Sequence, residues 1–507
     1  MSATILTSSI IGLDAYPVEV EADISPGLGA FLIVGLPDTA VQEARERVKS
    51  AMKHADASFP RTKVTINLAP ADLRKAGTGF DLPMAVAILT ANGDLPTHPK
   101  SARLLVGELA LDGRLRPVSG VLSSALLAAK LGVDEIIVPI ENGDEAALVP
   151  NLTVRPARNL KEVLDHVCGS ASLPSLPHRE ISFDVATSYF ADMAAIRGQE
   201  SAKRALEIAA AGGHNILLTG PPGSGKTLLA RAFAGILPRL SIEESLDITR
   251  IHSVAGTLPS CGYVTERSFR SPHHTASGVA LVGGGTIPRP GEVSLAHRGV
   301  LFLDEFPEFA RNVLENLRQP LEDGYVTVSR MQGTISFPAR FLLVAAMNPC
   351  PCGYATDADR ACSCSALQRE RYAKRLSGPL LDRIDLVIDV PRVPTQKLME
   401  LSAGESSLDI RQRIQLSRDR QAARYREINI LTNAELTSDQ VRRLIVLTDE
   451  ARRLLQQAVD RFRLSARAYF RVLRVARTIA DLSGVEELTE MHVAEAIQYR
   501  QCLENRL

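Results

Sequence analysis

The octet Gly220-Pro221-Pro222-Gly223-Ser224-Gly225-Lys226-Thr227 carries the most specific chemistry in this chain. It fits G-x4-G-K-[ST], follows the apolar run Asn215–Thr219 and precedes the helical pattern LLARAFAGIL. Strand, glycine-rich loop and helix are the context in which backbone N–H groups converge on phosphate oxygens. The glycines remove the Cβ atoms that would block that approach, and the helix N-terminus adds positive potential. ATP with Mg2+ is the expected ligand: Lys226 on the β- and γ-phosphates, Thr227 on the Mg2+. A second element, GVLFLDEF, is an apolar strand (Val300–Leu303) that ends in two acids. Asp304 then completes the Mg2+ site, and Glu305 polarises the attacking water. On its own such an acid pair also reads as a helix cap or a solvated turn. A third strand, FLLVAAMNP, ends in Asn348, whose amide is placed to orient the same water.

Four of the seven cysteines follow directly on Asn348: Cys350, Cys352, Cys362 and Cys364 form C-x-C-x9-C-x-C. Four thiolates in one short loop satisfy tetrahedral Zn2+, although C-x-C is tighter than the usual spacing and reduced, unliganded thiols are the alternative. Cys168, Cys261 and Cys502 are dispersed and read as packing residues. His273 and His274 lie in the loop-like SPHHTASG. Adjacent imidazoles diverge on most backbones, so a loop role is favoured over a shared metal.

These residues need three blocks to position them. Residues 1–168 form the first, and the Ser- and Pro-rich stretch 169–184 reads as a linker. Residues 185–394 alternate strand-like and helical runs, the signature of a parallel α/β sheet. Residues 395–507 carry helical periodicity almost throughout and form a helical lid. Between the acidic strand and the Asn348 strand, YVTVSRMQGTISF alternates polar and apolar residues around a glycine-bearing turn, a β-hairpin. Lys plus Arg and Asp plus Glu both number 58 in a chain of 507 residues, and there is no Trp. Zero net charge excludes a protein that coats nucleic acid by bulk charge, but not a locally basic channel. No apolar run approaches the roughly 20 residues needed to span a bilayer, and the N-terminus lacks a secretory pattern, so a cytoplasmic location without membrane contact is expected.

The order of phosphate loop, acidic strand, Asn-ending strand and helical lid resembles an AAA+ ATPase. IRGQESAKRALEIAAAGGHN, FRSPHHTASGVALVGGG, NPCPCG and LSGPLLDRIDL extend the resemblance to the magnesium-chelatase-like ComM/YifB family, over nearly the whole chain. That resemblance implies a homo-hexameric ATP-driven motor on DNA, promoting branch migration in homologous recombination and natural transformation, with room for recombination proteins as partners. It implies that Arg383, in LLDRID, is the arginine finger that reaches a neighbouring subunit's nucleotide. Arg467, in SARAYFRVLR, matches the nucleotide-sensing arginine of the lid, with Arg474 as the other candidate. It also implies that the hairpin faces a central pore, which would put Arg330 and Gln332 at its tip against a DNA backbone. The segment ALVGGGTIPRPGE is a second expected mobile loop.

Within the first block, VTINLAPADLRKAGTGFDLPMAVAIL and LDGRLRPVSGVLSSALLAAKLGVDEIIVPIENGDEA resemble the proteolytic domain of Lon. The Lon pattern needs a serine where this chain reads AGTGFD, in which Thr78 is the sole hydroxyl, and a lysine where Leu122 stands. A hydroxyl without a base or electrostatic partner is a poor nucleophile, so the scaffold is expected to be kept without the protease chemistry. The expected fold is therefore α/β: a Lon-protease-like N-terminal domain, an AAA+ parallel-sheet core and a C-terminal helical lid. The alternatives are a motor subunit that inserts Mg2+ into a porphyrin, an ATP-dependent protease, and a nucleotide-gated scaffold. The missing serine and lysine disfavour the second, and Glu305 and Arg383 disfavour the third.

Overall fold

The computed structural model describes residues 2–98, 103–183, 191–285, 288–330, 333–357, 359–393, 404–428 and 430–504. The first region is built on β1 (Ser2–Ile11), β2 (Asp14–Ser25), β3 (Ala30–Val34), β4 (Lys63–Ala69), β5 (Arg103–Leu105), the short pair β6 (Glu108–Leu109) and β7 (Leu115–Arg116), then β8 (Glu135–Pro139) and β9 (Thr153–Ala157). Seven of them form one mixed sheet in the order β3-β4-β2-β1-β5-β8-β9. Val18, Val20 and Ala22 on β2 and Val64, Ile66 and Leu68 on β4 recur at every second position and are buried. That alternation turns one face of the sheet onto the helices Thr39–His54 and Asp81–Asn92. The second of these helices is buried on all sides, which is why DLPMAVAILTAN shows no polar stripe. Leu122 is also fully buried, beside the start of the helix Val121–Leu131.

The stretch read as a linker has no helix or strand between 169 and 183, yet it is not free. Leu176 N donates to Val154 O at 3.0 Å and Arg179 N to Ala147 O at 2.9 Å. Leu173 is buried in the first core. Apolar residues scattered among Ser and Pro anchor it there without any periodicity.

The second region contains β10 (Ile216–Thr219), β11 (Phe269–Arg270), β12 (Gly283–Gly284), β13 (Arg289–Pro290), β14 (Val300–Leu303), β15 (Tyr325–Arg330), β16 (Gly333–Pro338), β17 (Leu342–Met347) and β18 (Leu386–Asp389). β11-β14-β17-β10-β18 is a wholly parallel sheet. β10 and β14 are buried at every residue, as strands covered on both faces must be. The glycine-rich segment expected to be a mobile loop is partly built. It forms a one-turn helix, Gly278–Val282, and the antiparallel pair β12–β13. A Cβ on Gly291 would lie 2.2 Å from Gly283 N, so glycine is what lets the two backbones meet.

The C-terminal region is helical as expected, with helices Ser407–Tyr425, Asp449–Phe462, Ala466–Ser483 and Glu490–Glu504. Ser406, Thr448 and Ser465 cap the first three, each side chain accepting a backbone N–H of the first turn. One apolar core runs without a break from the sheet into these helices.

The hairpin β15–β16 pairs in the expected register, Arg330 opposite Gly333. Its base is not free. Val328, Ile335 and Phe337 pack with Ile251 and Leu295 against Leu13, which sits in the β1–β2 turn of the first region. Leu13 O accepts from Ser123 Oγ (2.6 Å) and Arg250 Nη2 (3.2 Å), and Arg250 pairs with Asp14 at 3.0 Å. Ser253 Oγ donates to Glu145 Oε2 at 2.7 Å across the same boundary, and burial raises the Glu145 pKa. The two regions are interlocked at this surface.

Candidate nucleotide site

β10 delivers the chain into the loop Gly220–Gly225, and the helix Lys226–Ile236 leaves it. Gly223 (φ +76°) and Gly225 (φ +92°) hold left-handed backbone, with nothing within 4 Å of an added Cβ. This is an open cradle that a side chain would fill. Lys226 Nζ donates to Gly220 O (2.7 Å), Pro221 O (2.9 Å) and Asn348 Oδ1 (3.3 Å). Burial lowers the Lys226 pKa, and the nearby Asp304 carboxylate opposes that shift. Ser224 Oγ is buried with no hydrogen-bond partner among the described residues, a donor left for a ligand. Thr227 Oγ1 donates to Asp304 Oδ2 at 3.0 Å. A hydroxyl and a carboxylate that close offer two hard oxygens to a divalent cation. Parallel pairing explains the meeting: β17 lies between β10 and β14, so the three strands end side by side.

Glu305 follows in left-handed backbone (φ 51°), its N–H on Asp304 Oδ1 at 2.9 Å. Its carboxylate does not turn to Lys226 or Thr227: Oε2 lies 3.3 Å from His274 Nδ1. The two histidines do not diverge. Their ring centroids are 4.1 Å apart at 34°. His273 Nδ1 bonds Thr275 Oγ1 at 2.8 Å.

The cysteine loop stands beside this site. Cys350 Sγ is 3.3 Å from Cys352 Sγ and 3.6 Å from Cys362 Sγ, and Cys352 Sγ is 3.6 Å from Cys362 Sγ. All four sulfurs lie within 4.8 Å of one another. Tetrahedral zinc at a Zn–S distance of about 2.3 Å requires sulfurs about 3.8 Å apart. The four residues fit the ion, with Cys350 buried and the others at intermediate exposure. Burial pushes the Cys350 thiol up to about 12, whereas the Tyr354 backbone N–H holds Cys352 down to about 5. Of the remaining cysteines, Cys261 is partly covered, but Cys168, expected to pack, is exposed. Gly353 connects the two sites: a Cβ there would lie 2.6 Å from Pro222 Cδ. The glycine of NPCPCG was visible in the sequence; its partner was not.

Arg383 and Arg467 are far from Lys226. Both line a cavity of about 680 Å³ together with Asn215, Gly299 and Leu342, which stand at the N-terminal ends of the strands. The four residues of β10 separate the two ends by roughly 13 Å at about 3.3 Å each. Arg383 Nη1 donates to Pro379 O at 2.6 Å and its Nη2 pairs with Glu322, not with Asp382 or Asp385. Arg471 and Arg474, on the helix that carries Arg467, line the same cavity. Arg474 Nε and Arg383 Nε are buried without hydrogen-bond partners among the described residues. Sequence reasoning missed Arg471. Its signal was the second acid of LLDRID: Asp385 is held down to about 2 although burial opposes it, because His214 and Arg471 more than offset that burial. Gln332 and the Arg330 side chain lie outside the described residues. No helix among the described residues is long and apolar enough to cross a membrane.

Three family profiles match this chain. "Magnesium chelatase, subunit ChlI" covers residues 192–398, "Subunit ChlI of Mg-chelatase" residues 20–142, and "Magnesium chelatase, subunit ChlI C-terminal" residues 404–500. The chain is 45% identical over 500 residues to the uncharacterized protein YifB of Salmonella typhimurium, covering 98% of this chain and 97% of that one. It is 43% identical over 501 residues to the competence protein ComM of Haemophilus influenzae, again 98% of this chain and 97% of the relative. A shorter likeness, 27% identity over 176 residues, relates 32% of this chain to 22% of a Lon protease of Bacillus thuringiensis.

Proposed function

The chain belongs to the magnesium-chelatase-like ComM/YifB family, and from that premise we propose that it is an ATP-hydrolysing motor that acts on DNA in recombination. One observation carries the reading. Lys226, Thr227, Asp304 and Asn348 converge at one end of the parallel sheet, while Arg383 and Arg467 line one cavity at the other. An arginine at the far end of the sheet does not touch phosphates cradled by its own loop. It serves a nucleotide held by the next subunit, so the active unit is a ring of copies, a hexamer by family resemblance.

In that reading Lys226 exchanges its carbonyl and Asn348 partners for the β- and γ-phosphates. Thr227 and Asp304 would hold Mg2+, which would supply neutralisation of phosphate charge. Glu305 accepts the proton of the attacking water, Asn348 fixes that water's direction, and Arg383 and Arg467 of the neighbour stabilise charge on the transferring phosphoryl. Cys350, Cys352, Cys362 and Cys364 would hold one structural Zn2+ next to the phosphate loop.

DNA enters as substrate through the family resemblance, and one relative is named a competence protein. A chain of zero net charge must grip DNA through a local surface, and the β15–β16 hairpin, with Arg330 and Gln332 at its tip, is the element we assign to it. The test measures ATP hydrolysis and four-way-junction migration on one preparation, with junction DNA, single strands and porphyrin as separate additions. The motor reading expects salt-sensitive, sequence-independent DNA binding, hydrolysis stimulated by DNA, and migration lost in Arg330→Ala with basal hydrolysis retained. Stimulation by porphyrin and not by DNA would favour the chelatase alternative that the family profiles name.

A further inference from the structure

The cavity that holds Arg383 and Arg467 is also lined by Asn215, the residue just before β10. Every polar group of Asn215 is engaged. Its backbone N–H donates to Asp385 Oδ2 at 3.2 Å, and its carbonyl accepts from Asp385 N at 3.0 Å and Leu386 N at 3.1 Å. Its side chain reaches to both sides of the central strand. Oδ1 accepts from Leu343 N of β17 at 2.9 Å, and Nδ2 donates to Arg383 O at 3.0 Å, just ahead of β18. β10 lies between β17 and β18, so one amide ties the starts of three strands. The bond to Leu343 satisfies a donor at a strand start. The bond to Arg383 is of another kind, because Arg383 lies in no strand and the helix Gly378–Leu381 ends two residues before it. The next carbonyl, Ile384 O, accepts from Arg471 Nη1 at 3.2 Å and Arg500 Nη1 at 3.3 Å. These arginines stand on the helices Ala466–Ser483 and Glu490–Glu504. Two successive carbonyls are therefore held, one from the sheet and one from the lid. The Arg383 side chain rests on contacts it can give up: Pro379 O, four residues away, and the exposed carboxylate of Glu322. What is fixed is its root.

We propose that Asn215 is a positioning residue for hydrolysis: by holding the Arg383 carbonyl, its side-chain amide sets the point from which the guanidinium reaches the nucleotide of the next subunit. This rests on the ring reading above and adds to it a residue that acts on the neighbour's site and not on its own. Asn215 supplies preorganisation, since a guanidinium already aimed at developing charge does not have to be ordered at the moment of reaction. It also begins the strand that delivers the phosphate loop, so the finger and the phosphate loop of one subunit take their register from the same residue.

The experiment uses the full chain with Asn215→Asp. One side-chain oxygen still accepts from Leu343 N, while the oxygen that replaces Nδ2 cannot donate to Arg383 O. A positioning error of about 1 Å costs up to about a hundredfold in rate, so steady-state kcat should fall about ten- to hundredfold, with affinity for a non-hydrolysable ATP analogue within about twofold of the unsubstituted protein. Subunit mixing then reads which side of the interface is damaged. Lys226→Ala subunits carry an intact Asn215 and Arg383, so mixing them with Asn215→Asp should recover activity. Mixing Asn215→Asp with Arg383→Ala should recover none, because both lack a placed finger. Asn215→Ala gives the same comparison if the carboxylate introduced beside Asp385 hinders folding. An unchanged kcat overturns the proposal, as does an equal loss of analogue affinity, which would mark a role in the variant's own phosphate site. It is overturned too if Lys226→Ala restores Arg383→Ala but not Asn215→Asp. If Lys226→Ala restores neither in verified mixed rings, the action of Arg383 on a neighbour falls instead, a different failure from a finger that ignores Asn215.

Discussion

Gly353→Ala tests whether the cysteine loop and the phosphate loop are one mechanical unit. Gly353 is buried, has φ +86°, and an added Cβ would lie 2.6 Å from Pro222 Cδ and 2.7 Å from its Cγ. Left-handed backbone costs an alanine roughly 1–2 kcal/mol. Forcing a methyl into a filled position costs about 1–3 kcal/mol more. The ring of Pro222 is stiff, so the clash is relieved either by opening the cysteine cluster or by shifting the phosphate loop. If half of a combined strain of about 2–5 kcal/mol is taken up by the phosphate loop, affinity for nucleotide falls about five- to sixtyfold, since about 1.4 kcal/mol is a factor of ten. Calorimetric titration with a non-hydrolysable ATP analogue reads the affinity, and elemental analysis reads the zinc, expected at about one ion per chain before substitution. Gly169→Ala is the control: φ is +77° there too, but nothing lies within 4 Å of the added atom. The reasoning fails if Gly353→Ala keeps both full zinc and unaltered nucleotide affinity, or if Gly169→Ala loses as much.

Lys226→Ala should abolish nucleotide binding, whereas Glu305→Gln should bind ATP and not turn it over; equal loss of binding in both refutes their separate roles. Arg383→Ala should be inactive alone yet bind ATP, and mixing it with Lys226→Ala should restore some activity through composite sites; co-assembled rings that stay silent argue against action on a neighbour. Asp385→Asn should lower stability at neutral pH by about 2–3 kcal/mol, from a carboxyl held about two pH units below its ordinary value. A depressed pKa stabilises the fold above pH 4 and loses that contribution as pH falls toward 2. The variant's acid-unfolding curve should therefore be flatter than the parent's in that window, and parallel curves would refute the assignment.

The phosphate loop and the two strands beside it were legible because their signals are local: a glycine spacing, an apolar run, an acid pair at its end. Parallel pairing then brings Lys226, Asp304 and Asn348 together with no further information needed. The hairpin register was legible for the same reason, as alternation and a turn fix it. What escaped sequence reasoning is what depends on long-range packing. Pro222 against Gly353, His274 on Glu305 and Arg471 beside Asp385 each join segments whose separation carries no periodicity. The close, tilted approach of the His273 and His274 rings contradicted the expectation of diverging rings, and Thr275, a neighbour of neutral appearance, bonds one of them. The stretch 169–183 misled in the opposite way: its composition described its lack of secondary structure correctly and said nothing of where Leu173 is buried.

Leu13 has a bearing on how this protein can be taken apart. A fragment cut after residue 183 would carry the parallel sheet and the helical C-terminal region, and by sequence it would pass for a self-sufficient unit. It would also uncover Ile251, Leu295 and Phe337 at the root of the hairpin and strip Arg250 of the carbonyl and carboxylate that hold it. Such a piece should be sticky at that face and sluggish there, so its failure to work would say little about the missing region's own activity. The reverse cut leaves Glu145 without the hydroxyl of Ser253. Gene fusions or domain exchanges among relatives would meet the same constraint. The β1–β2 turn, the hairpin base and the helix carrying Arg250 and Ser253 have to travel as a matched set, and a chimera that divides them should be repaired first at Leu13 and Ile335.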